Sequence, residues 1–436
     1  MVALLALARR ELYRGDRDGT AREQAPARWR GVTTTAPTLS PALVTRGDGI
    51  AWLLLLLSLP IHGRVPLGGS GRELGVSLFD AVFWGVFLWR WREGKIAVDR
   101  RVVLAAALVV AMVLLHSLLS WWLRPVELAA LLRETVKYAA FPVYVGAAAL
   151  MLGERCLPGP PLLLVALSAL LISLGVLAYV AGGVPLVTLA FRHGALERGV
   201  YANIVAGLLV LTIYAAETNA WMRGRWFTVE VVALVAVATA LQLYNKGMML
   251  VTASLAVLPL AAPWLRAHRR WGALLALAGG LIVAAAATLV AFDVLRLGID
   301  YKGTFAASLG VRHDLWLKAA HLIAASFPSG IGLGQFGAAP PPIVDPFGMP
   351  QLFVHDTPLA MIAELGALGA VLAATLACVI FATARAFPLL TALAFILYSL
   401  ETFLLNDGLG YRAAFLLLGL GLARALAAPA ASRESS

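Results

Sequence analysis

His355 and Asp356 stand side by side at the head of a long apolar run, "FVHDTPLAMIAELGALGAVLAATLACVIFATARA". A neutral imidazole placed there is wet enough to titrate and sheltered on one face. It can therefore take a proton from a hydroxyl near neutral pH. Asp356 has a second use as the N-cap of the following helix, and Pro358 suits the first turn of that helix. Counted from His355, Leu359, Ile362, Gly366 and Gly369 recur at steps of four, three, four and three. That spacing predicts one face of a single helix, and its two glycines would let another helix come close. Glu364 lies two turns below the mouth on a different face. An acid at membrane depth is a candidate for function, or it hydrogen-bonds a neighbouring helix.

A second set of residues is cationic. Arg133, Lys137, Arg192, Arg198, Lys246, Arg312 and Arg412 all lie at or beside the ends of apolar segments. Taken singly, each is explained by snorkelling to headgroups or by a nearby acid, as with Glu134 and Lys137 at helical spacing. Taken together, they suit an anion held at the lipid–water boundary. Lys246 sits in the tight turn "LYNKGMM", which keeps its charge near the surface. Arg312 precedes Trp316 by one turn, so the two share a helix face and the ring can steady the guanidinium. A diphosphate on a lipid carrier fits such a set, because arginine offers a bidentate fork and lysine a point charge. Arg64 and Arg72, in a Gly-rich loop, read as solvated.

These residues need elements to hold them. Of 436 residues, 61% are hydrophobic and 14% charged, with a mean hydropathy of +0.83. Soluble domains are about half apolar and a quarter charged. The excess falls in blocks of bilayer-spanning length, which predicts an all-α polytopic membrane protein with about 12 transmembrane helices. The spans fall near 50–66, 76–91, 102–123, 134–152, 160–182, 200–217, 227–243, 247–263, 271–292, 357–384, 387–405 and 411–428. The first two are the weakest and form a hairpin.

Residues 1–47 form a basic tail and 429–436 a short second one. The larger share of the 35 Lys and Arg falls in the tails and in loops on the same side. The positive-inside rule then puts both termini in the cytoplasm and residues 293–356 outside, between spans 9 and 10. That external segment carries a helical pattern over 306–326, then "FPSGIGLGQFG", then a Pro-rich turn. It reads as a small folded cap. "VALLALA" is too short, and its basic residues follow it, so no cleavable signal peptide is expected. Cys156 in a loop and Cys378 in a span are not expected to pair. The formal charge of +11 has its use in orienting the chain, so no nucleic-acid partner is read from it.

The run "SLGVRHDLWLKAAHLIAASFPSGIGLGQFG", a Pro-rich linker and "HDTPLAMIAELGALGAVL" together resemble the signature region of the O-antigen ligase and polymerase superfamily. The matching residues are Arg312, Trp316, Pro328, Gly330, Gly332, Gly334, Phe336, His355, Glu364, Gly366 and Gly369. Asn203 in "ERGVYANIVAGLLVL" is similar to the family's Gly-then-Asn stretch, and "LYNKGMMLVTASLAVL" to its Ser-Arg-Gly turn. The resemblance covers roughly residues 190–385, and the earlier spans match only in hydropathy. Asp356 stands where the family usually has Asn, and Lys246 where it usually has Arg. The second change keeps the charge and loses the fork.

The resemblance, closest to the O-antigen ligases, implies a glycosyltransferase of the bacterial inner membrane with a periplasmic active site. Its donor would be a glycan on undecaprenyl diphosphate. Its acceptor would be a sugar hydroxyl of lipid A-core in a ligase, or the end of another lipid-linked glycan in a polymerase. His355 would take the acceptor proton, with Asp407 orienting His355 or the acceptor. Arg312, Lys246, Arg198 and Arg412 would hold the diphosphate, with Trp316, Asp356 and Glu364 in support. Protein O-oligosaccharyltransferases resemble the same superfamily. A transporter is the rival outside the enzymes, with Asp80, His116, Glu364 and Glu401 as its polar intramembrane residues. A structural scaffold is a further rival, and it would not need His355 or the external cations.

No phosphate-cradling loop motif occurs, and no cofactor is expected. Asp300, Asp314 and Asp345 are scattered along the external segment and do not form the carboxylate cluster a divalent ion needs. Glycan transfer is therefore predicted to run at full rate in excess EDTA. A loss reversed by added magnesium or manganese would show that an ion carries the leaving-group charge.

Overall fold

A helix that ends inside a protein leaves its last carbonyls without partners. This chain solves that problem in the middle of the apolar run that begins at His355. The computed structural model describes residues 46–59, 65–66, 75–152, 195–218, 229, 232–233, 236, 251–255, 305–344, 354–406 and 408–431. The described elements are helical apart from one two-residue antiparallel pair, Val65–Pro66 with Gly75–Val76.

In chain order the helices are α1 (Arg46–Ser58), α2 (Leu78–Arg92), α3 (Arg100–Leu123), α4 (Leu128–Leu152), α5 (Ala195–Thr218) and α6 (Phe305–Ser326). There follow α7 (Thr357–Leu365), α8 (Ala367–Ala386), α9 (Leu389–Ser399) with a π turn at Leu400–Leu404, a 3-10 turn at Gly408–Gly410, and α10 (Arg412–Ala431). Helices α3, α4 and α8 are long and apolar enough to cross a membrane. Much of α3 presents bare apolar surface, with Leu104, Leu115, Trp122 and Leu123 all exposed. In water such a face would be a liability, and against lipid it is the expected outer surface. The chain is a helical membrane protein.

Helix α6 matches the pattern over 306–326. The predicted span over 357–384 is corrected: it is two helices. The chain turns at Gly366, whose φ is +62°, a region open to glycine at no steric cost. Helix α8 then folds back along α7, so that a methyl on Gly369 would overlap the Met361 carbonyl. His355, Leu359, Ile362, Gly366 and Gly369 therefore do not line one continuous face. The close partner those glycines admit is the helix's own first half and the turn at Pro328–Gly330.

That turn fills the break. Ile331 N donates to Ala363 O at 2.9 Å and Gly332 N to Glu364 O at 2.9 Å, which satisfies the last carbonyls of α7. Ala367 N donates to Pro328 O at 2.8 Å and so ties down the start of α8. From the other side, Arg124 at the end of α3 donates to Gly330 O, and His116 Nε2 lies 3.1 Å from Ser329 O. Gln335 accepts from Glu127 N at 3.0 Å, just ahead of α4.

The rest of the packing fixes the bundle around this joint. Asn203 of α5 is fully buried. It accepts from Tyr398 Oη at 2.7 Å and donates to Thr402 Oγ1 at 2.8 Å, pinning the π turn. At the far end of α5, Glu217 accepts from Leu390 N, Thr391 N and Thr391 Oγ1 and so caps α9. Helix α10 lies against α4 and α8, with Gly419 close on Ala148 and Gly421 on Thr383.

The joint yields a stability prediction. A side chain at Gly366 would meet the Pro328 oxygen and sit at a φ that alanine resists, whereas Gly85 on α2 has open space around it. Gly366→Ala should cost more than about 2 kcal/mol, or fail to fold, on the scale of strained backbone and lost burial. Gly85→Ala should be neutral to slightly stabilising. Thermal unfolding of the two purified variants compares them directly, and equal midpoints would show that the break does not hold the fold.

Candidate functional site

The joint sets up a recess at the head of α7. Asp356 caps that helix by accepting from Leu359 N at 2.9 Å, and Thr357 is buried behind it. Thr357 Oγ1 donates to Asn406 O at 3.1 Å and accepts from Gly408 N at 3.0 Å. The turn between α9 and α10 is thereby stitched to the residue beside the cap. His355, one position earlier, has φ +55°. A bulky residue in the left-handed region is uncommon and is held only where its surroundings over-determine it.

The recess is a small open depression lined by His355, Asp356, Thr357, Ala360 and Glu364 on one side. Glu134, Lys137 and Tyr138 of α4 line the other side, with Phe336 and Val354 between. Both glutamates are buried, at 3% exposure for Glu134 and 6% for Glu364. Lys137 pairs with Glu134 one turn away, and Arg133 Nε lies 3.5 Å from the same carboxylate. Burial pushes the Asp356 carboxyl up from the ordinary aspartate range, against the pull of the Leu359 N–H. The recess thus brings an imidazole, an ammonium and three carboxyl groups to one opening.

The other sequence-predicted residues distribute as follows. Arg312 lies on α6, half-buried. Burial works against its charge, and the nearby carboxylate of Glu401 and the phenol of Tyr411 work for it. Its expected stacking on Trp316 is corrected: among the described residues no cation–ring contact joins them, and the Trp316 indole packs in the small apolar cluster of α6. Arg412 is engaged within the protein. Its Nη2 is 3.1 Å from Asp80 Oδ2, its Nε 3.4 Å from Asp80 Oδ1, and its Nη1 donates to Gly410 O. The fork is filled by a carboxylate that also accepts from Tyr144 Oη and caps α2 through Ser77. Lys246, Asp407 and the Arg198 side chain lie outside the described residues, as does Cys156; the backbone of Arg198 is in α5.

Glu134 and Lys137 were visible in the sequence as a helical pair, without a sign that they face His355. Lys318 carried a fainter signal, since it shares the apolar stripe of Leu315, Ala319 and Leu322 at helical spacing. It is 5% exposed, its ammonium sits 4.8 Å from the Phe336 ring, and Nζ has no hydrogen-bond partner. Burial pulls its amine below the ordinary lysine range.

No known protein-family model matches the sequence, and no curated protein is similar enough to count as a relative.

Asp356 gives a prediction with a definite sign. Its folded carboxyl titrates above its unfolded value, so ionisation costs stability as pH rises from the unfolded aspartate value, about 4, through the folded one. Below both values the cost vanishes. Asparagine caps as well as aspartate and cannot ionise. Asp356→Asn should match the wild type near pH 3.5 and exceed it in thermal stability at pH 7. Lower stability of the variant at pH 7 would show that the charged cap is worth more than its burial costs.

Proposed function

We propose that the protein is a glycosyltransferase of the O-antigen ligase type, which moves a glycan from undecaprenyl diphosphate to a sugar hydroxyl of lipid A-core. The observation that carries this reading is the recess at the head of α7. There His355, in strained backbone, shares one opening with Lys137 and with the buried acids Glu134 and Glu364. An enzyme joining two lipid-borne substrates needs such a site at the end of a span, where both can reach it.

In this reading about twelve spans with cytoplasmic termini put the recess, α6 and the 406–410 turn on the periplasmic side of a bacterial inner membrane. The acceptor hydroxyl attacks the anomeric carbon and gives its proton to His355. The bond from that carbon to the diphosphate oxygen breaks, and the leaving group departs with the electron pair. Its charge is met by Arg312 and, from the sequence, by Lys246 and Arg198. Fixed cations near a developing anion are the largest single source of such rate enhancement. Asp407 follows Asn406, whose carbonyl is tied to Thr357 beside Asp356, and it serves to orient the acceptor. The same chemistry with a second lipid-linked repeat as acceptor makes a polymerase. Deletion of the gene separates the two: unmodified core with accumulating lipid-linked polymer indicates the ligase, and core bearing a single repeat the polymerase.

A transfer assay with purified protein, lipid-diphosphate donor and lipid A-core tests the roles. His355→Ala should lower the rate by at least about a hundredfold, the range of a lost general base. Arg312→Ala should cost about 2–4 kcal/mol of transition-state stabilisation, a hundred- to thousandfold. Arg72→Ala should stay within about tenfold, as for an exposed charge. Near-normal product from the folded His355 variant removes that residue from the mechanism.

A further inference from the structure

Two helices long enough to cross the membrane meet at the glycine turn. Helix α3 has 24 residues, with Arg100 and Arg101 at one end and Trp121, Trp122 and then Arg124 at the other. At 1.5 Å per residue it is about 36 Å long, the hydrocarbon core and about one turn more. Trp122 is 80% exposed, and tryptophan beside arginine marks the headgroup level. The Trp122 end of α3 therefore lies at the lipid–water boundary. Helix α8 has 20 residues, about 30 Å, with none to spare in a crossing. Its first residue, Ala367, then lies at the boundary too. The turn is bonded to both marks: Arg124 donates to Gly330 O and Ser329 Oγ, and Ala367 N donates to Pro328 O.

Phe327 adjoins that turn and is 57% exposed. Its N–H donates to Ile323 O at 3.0 Å, so the ring rides on the last turn of α6. Helix α6 itself is no span, because Arg312, His313, Asp314 and Lys318 fall in its middle. The backbone beyond it is paired as lipid demands. Ser329 N and Gly330 N donate to Ser326 O, Ile331 N to Ala363 O and Gly332 N to Glu364 O, while Pro328 has no N–H to place. Every N–H from Phe327 to Gly332 thus has a protein acceptor. The Gly330 carbonyl accepts from Arg124, and His116 Nε2 of α3 lies 3.1 Å from that of Ser329. Irregular backbone persists at membrane depth only where protein answers its polar groups. Two residues separate Phe327 from Ser329, about 7 Å at most, so the exposed ring continues the apolar surface that α3 turns to lipid.

We propose that the end of α6 is seated in the bilayer: Phe327 dips into the acyl region of the leaflet around the Trp122 end of α3, and lipid is the partner of this surface. The placement stands on the two spans and the turn, independently of the glycosyltransferase reading. Helix α6 is then moored twice, by the turn's bonds to α3 and α8 and by its own ring in lipid. The same turn closes α7 through Ile331 N and Gly332 N. The last carbonyls of α7 are thereby held at the lipid–water boundary as well.

Nitroxide labels on the full chain, reconstituted in phosphatidylcholine vesicles, test this. In a Cys156→Ala, Cys378→Ala background, single labels go on Phe327→Cys, on Trp122→Cys as the lipid mark, and on Ala97→Cys, an exposed loop position, as the water mark. Oxygen, which concentrates in the acyl region, should relax the labels at 327 and 122 more than a water-soluble nickel chelate does, with the reverse at 97. A label at 327 that follows the one at 97 overturns the proposal. So does a label at 327 that neither reagent reaches, which would show a protein neighbour such as a second copy of this chain. If Phe327→Cys does not fold, the wild-type chain decides, in vesicles whose lipid carries a photoreactive diazirine on its acyl chain. Adducts mapped by mass spectrometry to Phe327 support the proposal, and adducts confined to the spans overturn it.

Discussion

Everything at the head of α7 depends on where the carbonyls of a broken helix find their donors. A nine-residue helix ending at Leu365 exposes its last carbonyls at a depth where water is scarce. Ile331 N and Gly332 N supply the donors, and Pro328 O takes the first free N–H of α8. This exchange is between backbones, so it needs close approach more than any particular side chain. Hence glycine stands on both sides of it: a methyl on Gly330 would strike the Glu364 carbonyl, and one on Gly366 the Pro328 carbonyl. Once the turn is seated, α7 has one position, and the recess that it lines is fixed with it.

Around that joint the acids are committed within the protein, two of them to cations. Asp80 takes the fork of Arg412 and ties α2 to α10. Glu134 holds Lys137 and Arg133 on a single helix. Glu217 spends both oxygens on the start of α9. A cation answered in this way is part of the frame, and pulling it towards a ligand would strand a buried carboxylate. Arg412 is therefore poorly suited to bind a diphosphate, although its sequence position beside the outer turn suggested it.

The legible parts of the sequence were local ones. The cap at Asp356, the helix over 306–326 and the Glu134–Lys137 pair all follow from spacing within one or two turns, where chain geometry alone decides the neighbours. The break at Gly366 was hidden because the apolar pattern runs on across it, and glycine in a membrane helix reads as readily as a packing contact. The partner of Arg412 is 332 residues away in the chain, beyond any periodicity. The recess itself joins α4, α7, Phe336 and Val354, and only the docking of the glycine turn brings those together.

The break also frees α7 from the work of crossing the membrane. On one continuous span, nine residues at 1.5 Å each would set His355 and Glu364 about 13 Å apart in depth, with Glu364 inside the hydrocarbon. Helix α8 alone has 20 residues, about 30 Å of rise and enough to cross the bilayer core unaided. Helix α7 is therefore surplus to the crossing, and it packs back against the start of α8, where Gly369 lies close on the Met361 carbonyl. Its polar residues then face protein, where Glu364 is buried beside the recess wall, and their cost in lipid does not arise. A span that spares its first nine residues in this way gains a short rigid rod whose capped N-terminus and acidic C-terminus both bear on one site.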